Sequence, residues 1–369
     1  MTSQQFIQQR LQARHETGAY RQLQVENSLV DFCSNDYLGF ARSEQLAKAI
    51  HAEMEQYTPV LNGSTGSRLL SGNTLYAQQV EEHIAAYHSA EAGLLFNSGY
   101  DANLGLLSCV PQRGDTVIHD ELAHASIIDG IRLSNAKRYS FKHNDLKSLE
   151  QKLQIAQGIC YVVVESVYSM DGDLAPLTEI VYLVQQYNAS LIVDEAHALG
   201  VFGKGLINQL HLENEVFARV MTFGKALGCH GAIVLGSENL RAYLINFARS
   251  FIYTTAAPLH QLAAIKMGYE YLSNSQSIVD SLQNKIELYN SLMPGIYENH
   301  SAIKTLITGG NNNTKHIASQ LQQSGFDVRA ILSPTVPEGF ERLRICLHAF
   351  NSDDHITQLT DILKQLTYE

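Results

Sequence analysis

TFGKALG, residues 222–228, is the stretch on which the reading of this chain turns. The run 216–221 before it is apolar except for Arg219 and has the composition of a buried strand. A lysine then follows in a tight turn between Gly224 and Gly228, residues that permit unusual backbone angles and close approach. A lone loop lysine is usually just solvated. The alternative is a lysine at the carboxyl end of a parallel sheet, where α/β enzymes keep their ligands. Desolvated there, it can form a Schiff base.

The surrounding pattern bears on that choice. Residues 3–17 have helical spacing (Phe6, Ile7, Leu11) and read as an amphipathic arm. A short strand at 29–32 runs into the polar turn CSNDYLGF, 33–40. Helices are expected at 44–57 and 74–89, separated by GSTGSRLLSGN (63–73), too rich in glycine and serine for regular structure. From 92 onward strands and helices alternate. Strands fall at 92–96, 115–120, 137–141, 161–166, 190–195 and 216–223, with helices at 99–110, 124–134, 145–156 and 177–188 between them. GAIVLGS (231–237) returns beside the last strand in either direction. Such alternation implies an α/β fold with a mostly parallel sheet covered by helices. Helices follow at 238–248 and, as one long connection, 258–298. The tail changes character: strand 302–307, helix 313–323, strands 326–332 and 341–347, helix 352–366, a smaller α+β unit. The expected division is an arm at 1–41, a large domain at 42–260 and a small domain at 261–369.

With 369 residues the chain can bury two sizeable cores. A net charge of −11 argues against nucleic acid or an anionic membrane as partner. Five scattered cysteines lack metal-ligand or disulfide-framework spacing and suggest a reducing cytoplasm. The first ten residues hold no apolar signal core, and no run approaches membrane-spanning length.

Other polar residues collect where strands end. LIVDEAHALG (191–200) places Asp194 at the end of an apolar strand, a costly position for an unpaired carboxylate, although a cap or ion pair would explain one aspartate. DEAH also matches the box of some helicases, but neither Gly-Lys pair continues with Ser or Thr, so no P-loop accompanies it. His197 follows three residues later and can reach the same place. HDELAH (119–124) has histidines five apart rather than four, so they do not share a helical face and no metal site is indicated. His124 is of interest as a flat ring at a strand-to-helix turn. FNSGYDANLG (96–105) is a strand, Ser-Gly, then a helix start, whose free N–H groups favour an anion, phosphate above all. YVVVESVYSMDGD (161–173) ends a strand on Glu165, Ser166 and Ser169, as a solvated loop also could. Taken together, a lysine, an aspartate, histidines, serines and an anion seat match pyridoxal 5′-phosphate (PLP), with its aldehyde, pyridine nitrogen and phosphate.

At this point the sequence resembles the α-oxoamine synthases of the PLP fold-type I group. The pieces that carry the resemblance are SNDYLG (34–39), GSTGSRLLSGN (63–73), FNSGYDAN (96–103), LAHASIIDG (122–130), VYSMDGD (167–173), VDEAHALGVFG (193–203), TFGKALGCHGA (222–232), YTTAAP (253–258) and PTVPEGFERLRICL (334–347). The resemblance implies a seven-stranded, aspartate-aminotransferase-like sheet with helices on both faces. It implies condensation of an amino acid, L-alanine foremost, with an acyl thioester, a pimeloyl one foremost, in biotin synthesis. Use of glycine or serine with other acyl donors, and plain transamination, are the alternatives. By resemblance Lys225 is the Schiff-base lysine, Asp194 the partner of the pyridine nitrogen and His124 the ring stacked on the cofactor. Ser169 and His197 would lie near the phenolic oxygen. Ser98, Gly99, Tyr100 and Thr222 would cradle the phosphate. Thr254 or Thr255 would reach the phosphate of a neighbouring subunit, which implies a homodimer with shared sites. Asn35, Glu165 and Arg344 fall at substrate-side positions, Arg344 as a bidentate carboxylate grip, and Arg21 falls near the acyl substrate. Leu199 and the pair Cys229-His230 depart from residues common in these motifs, and residues 20–32 leave room for only a short arm.

Overall fold

The computed structural model describes residues 1–25, 28–57, 62–294 and 299–367. In chain order the strands are β1 (Val30–Asp31), β2 (Ala92–Phe96), β3 (Thr116–Asp120), β4 (Lys137–Phe141), β5 (Cys160–Glu165) and β6 (Ser190–Asp194). They continue with β7 (Ala218–Thr222), β8 (Ala232–Gly236), β9 (Ile303–Ile307), β10 (Phe326–Asp327), β11 (Arg329–Ile331) and β12 (Arg342–Cys346).

The chain divides into two compact units, 36–169 with 173–280, and 1–35 with 170–172 and 281–369. The larger holds a seven-stranded sheet in the order β2-β8-β7-β6-β5-β3-β4. β3, β4, β5, β6 and β7 pair in parallel. β8 is antiparallel to both neighbours, which settles the direction left open by its sequence. The central strands are mostly apolar in their interiors because both faces are covered, with polar residues such as Glu165 and Asp194 at their carboxyl ends. Tyr161, Val163 and Ile192 point into one core, with helices Gly99–Cys109, Ala125–Leu133 and Glu238–Phe247. Val162, Val164, Leu191 and Val193 point into the other, with helices Leu146–Leu153 and Leu177–Gln186. Strand alternation thus feeds two cores from one sheet.

The smaller unit has the antiparallel sheet β11-β12-β9 and a parallel pair, β1 with β10. That pair corrects the expected boundaries at 41 and 260. Val30 lies opposite Phe326 and Asp31 opposite Asp327, so the first 35 residues are built into the C-terminal unit rather than standing apart as an arm. Helix Ser3–Glu16 forms with a full capping box at Thr2 and Gln5. It buries no residue, and Phe6, Ile7 and Leu11 are each about half exposed, so no apolar face is covered.

Three further expectations change. The long helix 258–298 is two helices, Leu259–Ser273 and Gln276–Leu292, separated at Asn274 and Ser275; its last positions, 295–298, lie outside the described residues. The strand at 326–332 breaks at Val328 into β10 and β11, which pair with different partners. Within 63–73, residues Arg68–Gly72 form a single π-type turn.

Candidate active site

Within the larger unit, the carboxyl ends of β5, β6 and β7 bring together most of the polar residues singled out above. Lys225 lies in the turn between β7 and β8. Phe223 N–H donates to Gly231 O at 2.9 Å and Gly228 N–H to Lys225 O at 2.8 Å, so the turn is closed on itself. Gly228 has φ of +61°, and a Cβ there would fall 2.3 Å from the backbone nitrogen of Ala41; only glycine fits.

Asp194 ends β6 with 6% exposure. Its Oδ2 accepts from Asn103 Nδ2 at 2.7 Å and its Oδ1 from Ala196 N–H at 3.0 Å. Asn103 also donates to Ser126 Oγ at 3.0 Å. The carboxylate is therefore held from one side by helix Gly99–Cys109 and from the other by its own turn.

His124 caps helix Ala125–Leu133. Its Nδ1 accepts from Ser126 N–H at 3.2 Å and lies 2.8 Å from Ser126 Oγ. That places a ring proton on Nε2. Burial lowers its pKa; Asp194 opposes the shift and Lys225 reinforces it, so the ring is neutral. Glu165, at the end of β5, accepts from His124 N–H at 2.7 Å and from the N–H of Ser169. Burial pushes its carboxyl up to about 8, aided by the nearby charge of Asp194, so it carries a proton through much of the neutral range.

His197 pairs its Nδ1 with the hydroxyl of fully buried Tyr37 at 2.8 Å, and Ser169 is 9% exposed. Ser98 caps helix Gly99–Cys109, its Oγ accepting from Asp101 N–H at 3.1 Å. A Cβ on Gly99 would fall 2.6 Å from Thr222 Oγ1, so the absent side chain is what brings the helix amino end against the end of β7. Free N–H groups plus a hydroxyl make a cradle suited to a phosphate. Tyr100, 43% exposed, donates to Asp129. Thr254 Oγ1 and the Thr255 carbonyl both accept from Asn97 Nδ2, at 3.0 and 2.9 Å. Among the described residues, no group of His, Cys, Asp and Glu could hold a metal ion.

The remaining candidates belong to the smaller unit. Arg344 is 9% exposed on β12, and its Nη2 donates to Asn35 Oδ1 at 2.9 Å. Arg21 is elsewhere in that unit, exposed, donating to Thr335 Oγ1 at 2.8 Å beside a groove of about 220 Å³ that Arg14 also lines.

Asn103 and Tyr37 escaped the sequence reading, although both fall inside quoted motifs. For Asn103 the usable signal was a polar residue on the apolar face of a helix, one turn beyond Gly99.

The aminotransferase class I and II family model matches residues 27–363. The chain belongs to that family. An 8-amino-7-oxononanoate synthase from Emericella nidulans is 42% identical over 97% of this chain and 94% of its own length. The crystal structure of 8-amino-7-oxononanoate synthase from Francisella tularensis is similar at 31% identity and a TM-score of 0.77, covering 93% of this chain and 99% of that one. A serine palmitoyltransferase from S. paucimobilis with bound PLP-myriocin aldimine overlays with a TM-score of 0.88 at 25% identity, covering 98% of this chain and 97% of that one. These likenesses bear out the fold type and the enzyme class expected from the motifs.

Proposed function

We propose that this chain uses PLP to join L-alanine to a pimeloyl thioester, releasing CO2 and a free thiol and forming 8-amino-7-oxononanoate. The observation that carries the chemistry is Asp194: a buried carboxylate oriented by Asn103 and Ala196 N–H on the sheet edge that also bears Lys225 and the Gly99–Thr222 cradle. These residues fit PLP group by group. The names of the relatives favour the substrates.

When bound, PLP supplies an electron sink for the amino acid's α-carbon. The chain's own residues do the rest. The amino end of helix Gly99–Cys109, with Ser98, Gly99, Tyr100 and Thr222, holds the phosphate. Asp194 stabilises positive charge at the pyridine nitrogen, and it does so best where water is excluded. Neutral His124 offers its flat face to the ring, and Ser169 and His197 serve the phenolic oxygen. Lys225 anchors the cofactor, and its amine takes the alanine α-proton as general base. The α-carbon would then displace the thiol at the acyl carbonyl, the original carboxylate would leave as CO2, and Lys225 would return a proton to that carbon. Arg344 grips the amino-acid carboxylate, with Asn35 and Glu165 on the substrate side and Arg21 toward the acyl group. The working form is a cytoplasmic homodimer in which Thr254 or Thr255 of one chain reaches the phosphate held by the other.

A second reading is a serine-using, long-acyl synthase. It is favoured by the larger overlay with serine palmitoyltransferase, 0.88 against 0.77. Thiol release measured with alanine, glycine or serine against pimeloyl, acetyl and palmitoyl thioesters separates the readings. Alanine with the pimeloyl donor is expected to be fastest. Preference for serine with palmitoyl overturns the first reading, and keto-acid turnover without any thioester makes the chain an aminotransferase. Sedimentation of the purified protein tests the dimer.

A further inference from the structure

At the edge of the large sheet, outside the residues assigned above, lies a second group of ionisable side chains. His143, just past β4, has a carboxylate on each ring nitrogen: Asp120 Oδ1 lies 3.0 Å from Nδ1 and Asp173 Oδ2 lies 2.6 Å from Nε2. Both partners only accept, so both ring nitrogens must donate and the ring is an imidazolium. Tyr168 meets it edge-on at 4.5 Å. Asn144 follows the same pattern: its backbone N–H donates to Asp120 Oδ2 at 3.0 Å and its Nδ2 to Asp173 Oδ2 at 2.8 Å.

The two carboxylates belong to different loops. Asp120 ends β3, and its Oδ1 also accepts from Leu122 N–H at 2.8 Å, fixing the turn that delivers His124 two residues later. Asp173 closes the return of the 167–174 segment: its carbonyl accepts from Tyr168 N–H at 3.0 Å, and Val167 bridges Leu174. Ser169 is the next residue after Tyr168. The same two loops meet a second time at Glu165, which accepts from the N–H groups of both His124 and Ser169. They are thus tied at two points, Glu165 and His143.

We propose that the His143 imidazolium is a positioning residue that sets the His124 turn and the Ser169 segment at their working separation around the cofactor ring. It touches neither cofactor nor substrate and acts through Asp120 and Asp173. The inference rests on the PLP reading of the site.

The test uses the purified protein with PLP as the probe, read by visible absorbance and by equilibrium dialysis. His143→Gln keeps one donor group but loses the charge and the second donor. A displacement on the ångström scale in a constructed site can cost as much as about 100-fold in rate. For His143→Gln, folded by circular dichroism, the expected results are a PLP dissociation constant raised about tenfold and a shifted absorbance maximum of the bound form. Asp173→Asn, which removes one carboxylate with little change of shape, is expected to move both in the same direction by less. A folded His143→Gln with wild-type affinity and spectrum overturns the proposal and leaves the functional reading standing. If His143→Gln does not fold, a folded Asp173→Asn with wild-type affinity and spectrum overturns it equally. A wild-type chain that takes up no PLP overturns the functional reading and this inference together.

Discussion

His124 and His143 lie 19 positions apart beyond the ends of adjacent strands, yet one ring is neutral and the other cationic. His143 is half-buried and His124 more exposed, yet desolvation by the surrounding protein disfavours the imidazolium in each. At His124 the ring nitrogen accepts from Ser126, and nearby Lys225 repels a proton. At His143 burial is outweighed by hydrogen bonds and charge from Asp120 and Asp173, which push the pKa up to about 10. The same side chain thus serves as a flat neutral surface in one place and as a cationic bridge in the other. Desolvation favours the neutral ring at both; two facing carboxylates outweigh it at His143, whereas at His124 it prevails over Asp194 with the help of Lys225.

The largest effect expected on that contrast comes from Lys225. Lys225→Ala should lower turnover on the order of 10⁴-fold or more, since both anchor and base are lost. It should also raise the His124 titration midpoint, followed by NMR, because one repelling charge is gone. Unchanged turnover would remove Lys225 from the chemistry. Asp194→Asn comes next, at roughly 100- to 1,000-fold in kcat, and should move the His124 midpoint the other way. A rise in that midpoint would mean that the Asp194 charge does not favour the protonated ring.

His143 should be felt first in stability. Breaking a buried ion pair by removing one partner costs a few kcal/mol. Because its folded pKa lies above the unfolded value, the bridge contributes fully below about pH 6.5, and the contribution is lost as pH rises through about 10. Urea unfolding of wild type and His143→Gln should differ at pH 6 and converge above pH 10; a constant difference would deny the charge.

Glu165 gives the subtlest change, one of slope. A carboxyl raised to about 8 binds more protons folded than unfolded, so its contribution makes stability fall as pH rises from about 4.5 to 8. Glu195, buried and pushed up to about 7, acts in the same direction. Glu165→Gln retains an acceptor for His124 and Ser169 and should flatten part of the decline, measured as urea midpoint against pH. An unaltered slope would mean that Glu165 is ionised in the fold.

The difference between the two histidines also marks how far the sequence could be read. Strands such as 92–96 and 137–141 were legible residue for residue, since their length and flanking turns are local properties. So were the positions of Asp194 and Lys225, one ending a recognisable strand and the other just beyond one. Distant partners were not legible. The direction of β8 depends on which strands it lies between. The placing of residues 1–35 depends on β10, nearly 300 positions away. The break at Asn274 was hidden because apolar helical spacing runs on at both sides of it. HDELAH drew notice for its histidines, whereas its Asp120 matters through His143 and Asp173, a meeting that only the fold arranges.

The reversal of β8 has a mechanical consequence. Most βα turns on such an edge are tethered at one end by a strand and at the other by a helix that can shift. Lys225 instead sits on a connection whose two ends enter neighbouring strands of one ladder, with Thr222 opposite Ala232. Phe223 N–H to Gly231 O closes it, and Cys229 N–H to Phe223 O at 2.9 Å closes it again inside. Both ends of the loop are thus anchored to the sheet, and Gly228 N–H to Lys225 O holds the lysine's own carbonyl within it. Under the proposed function, an amine that swings on a methylene stem from such a backbone would leave and return to the same point in every cycle.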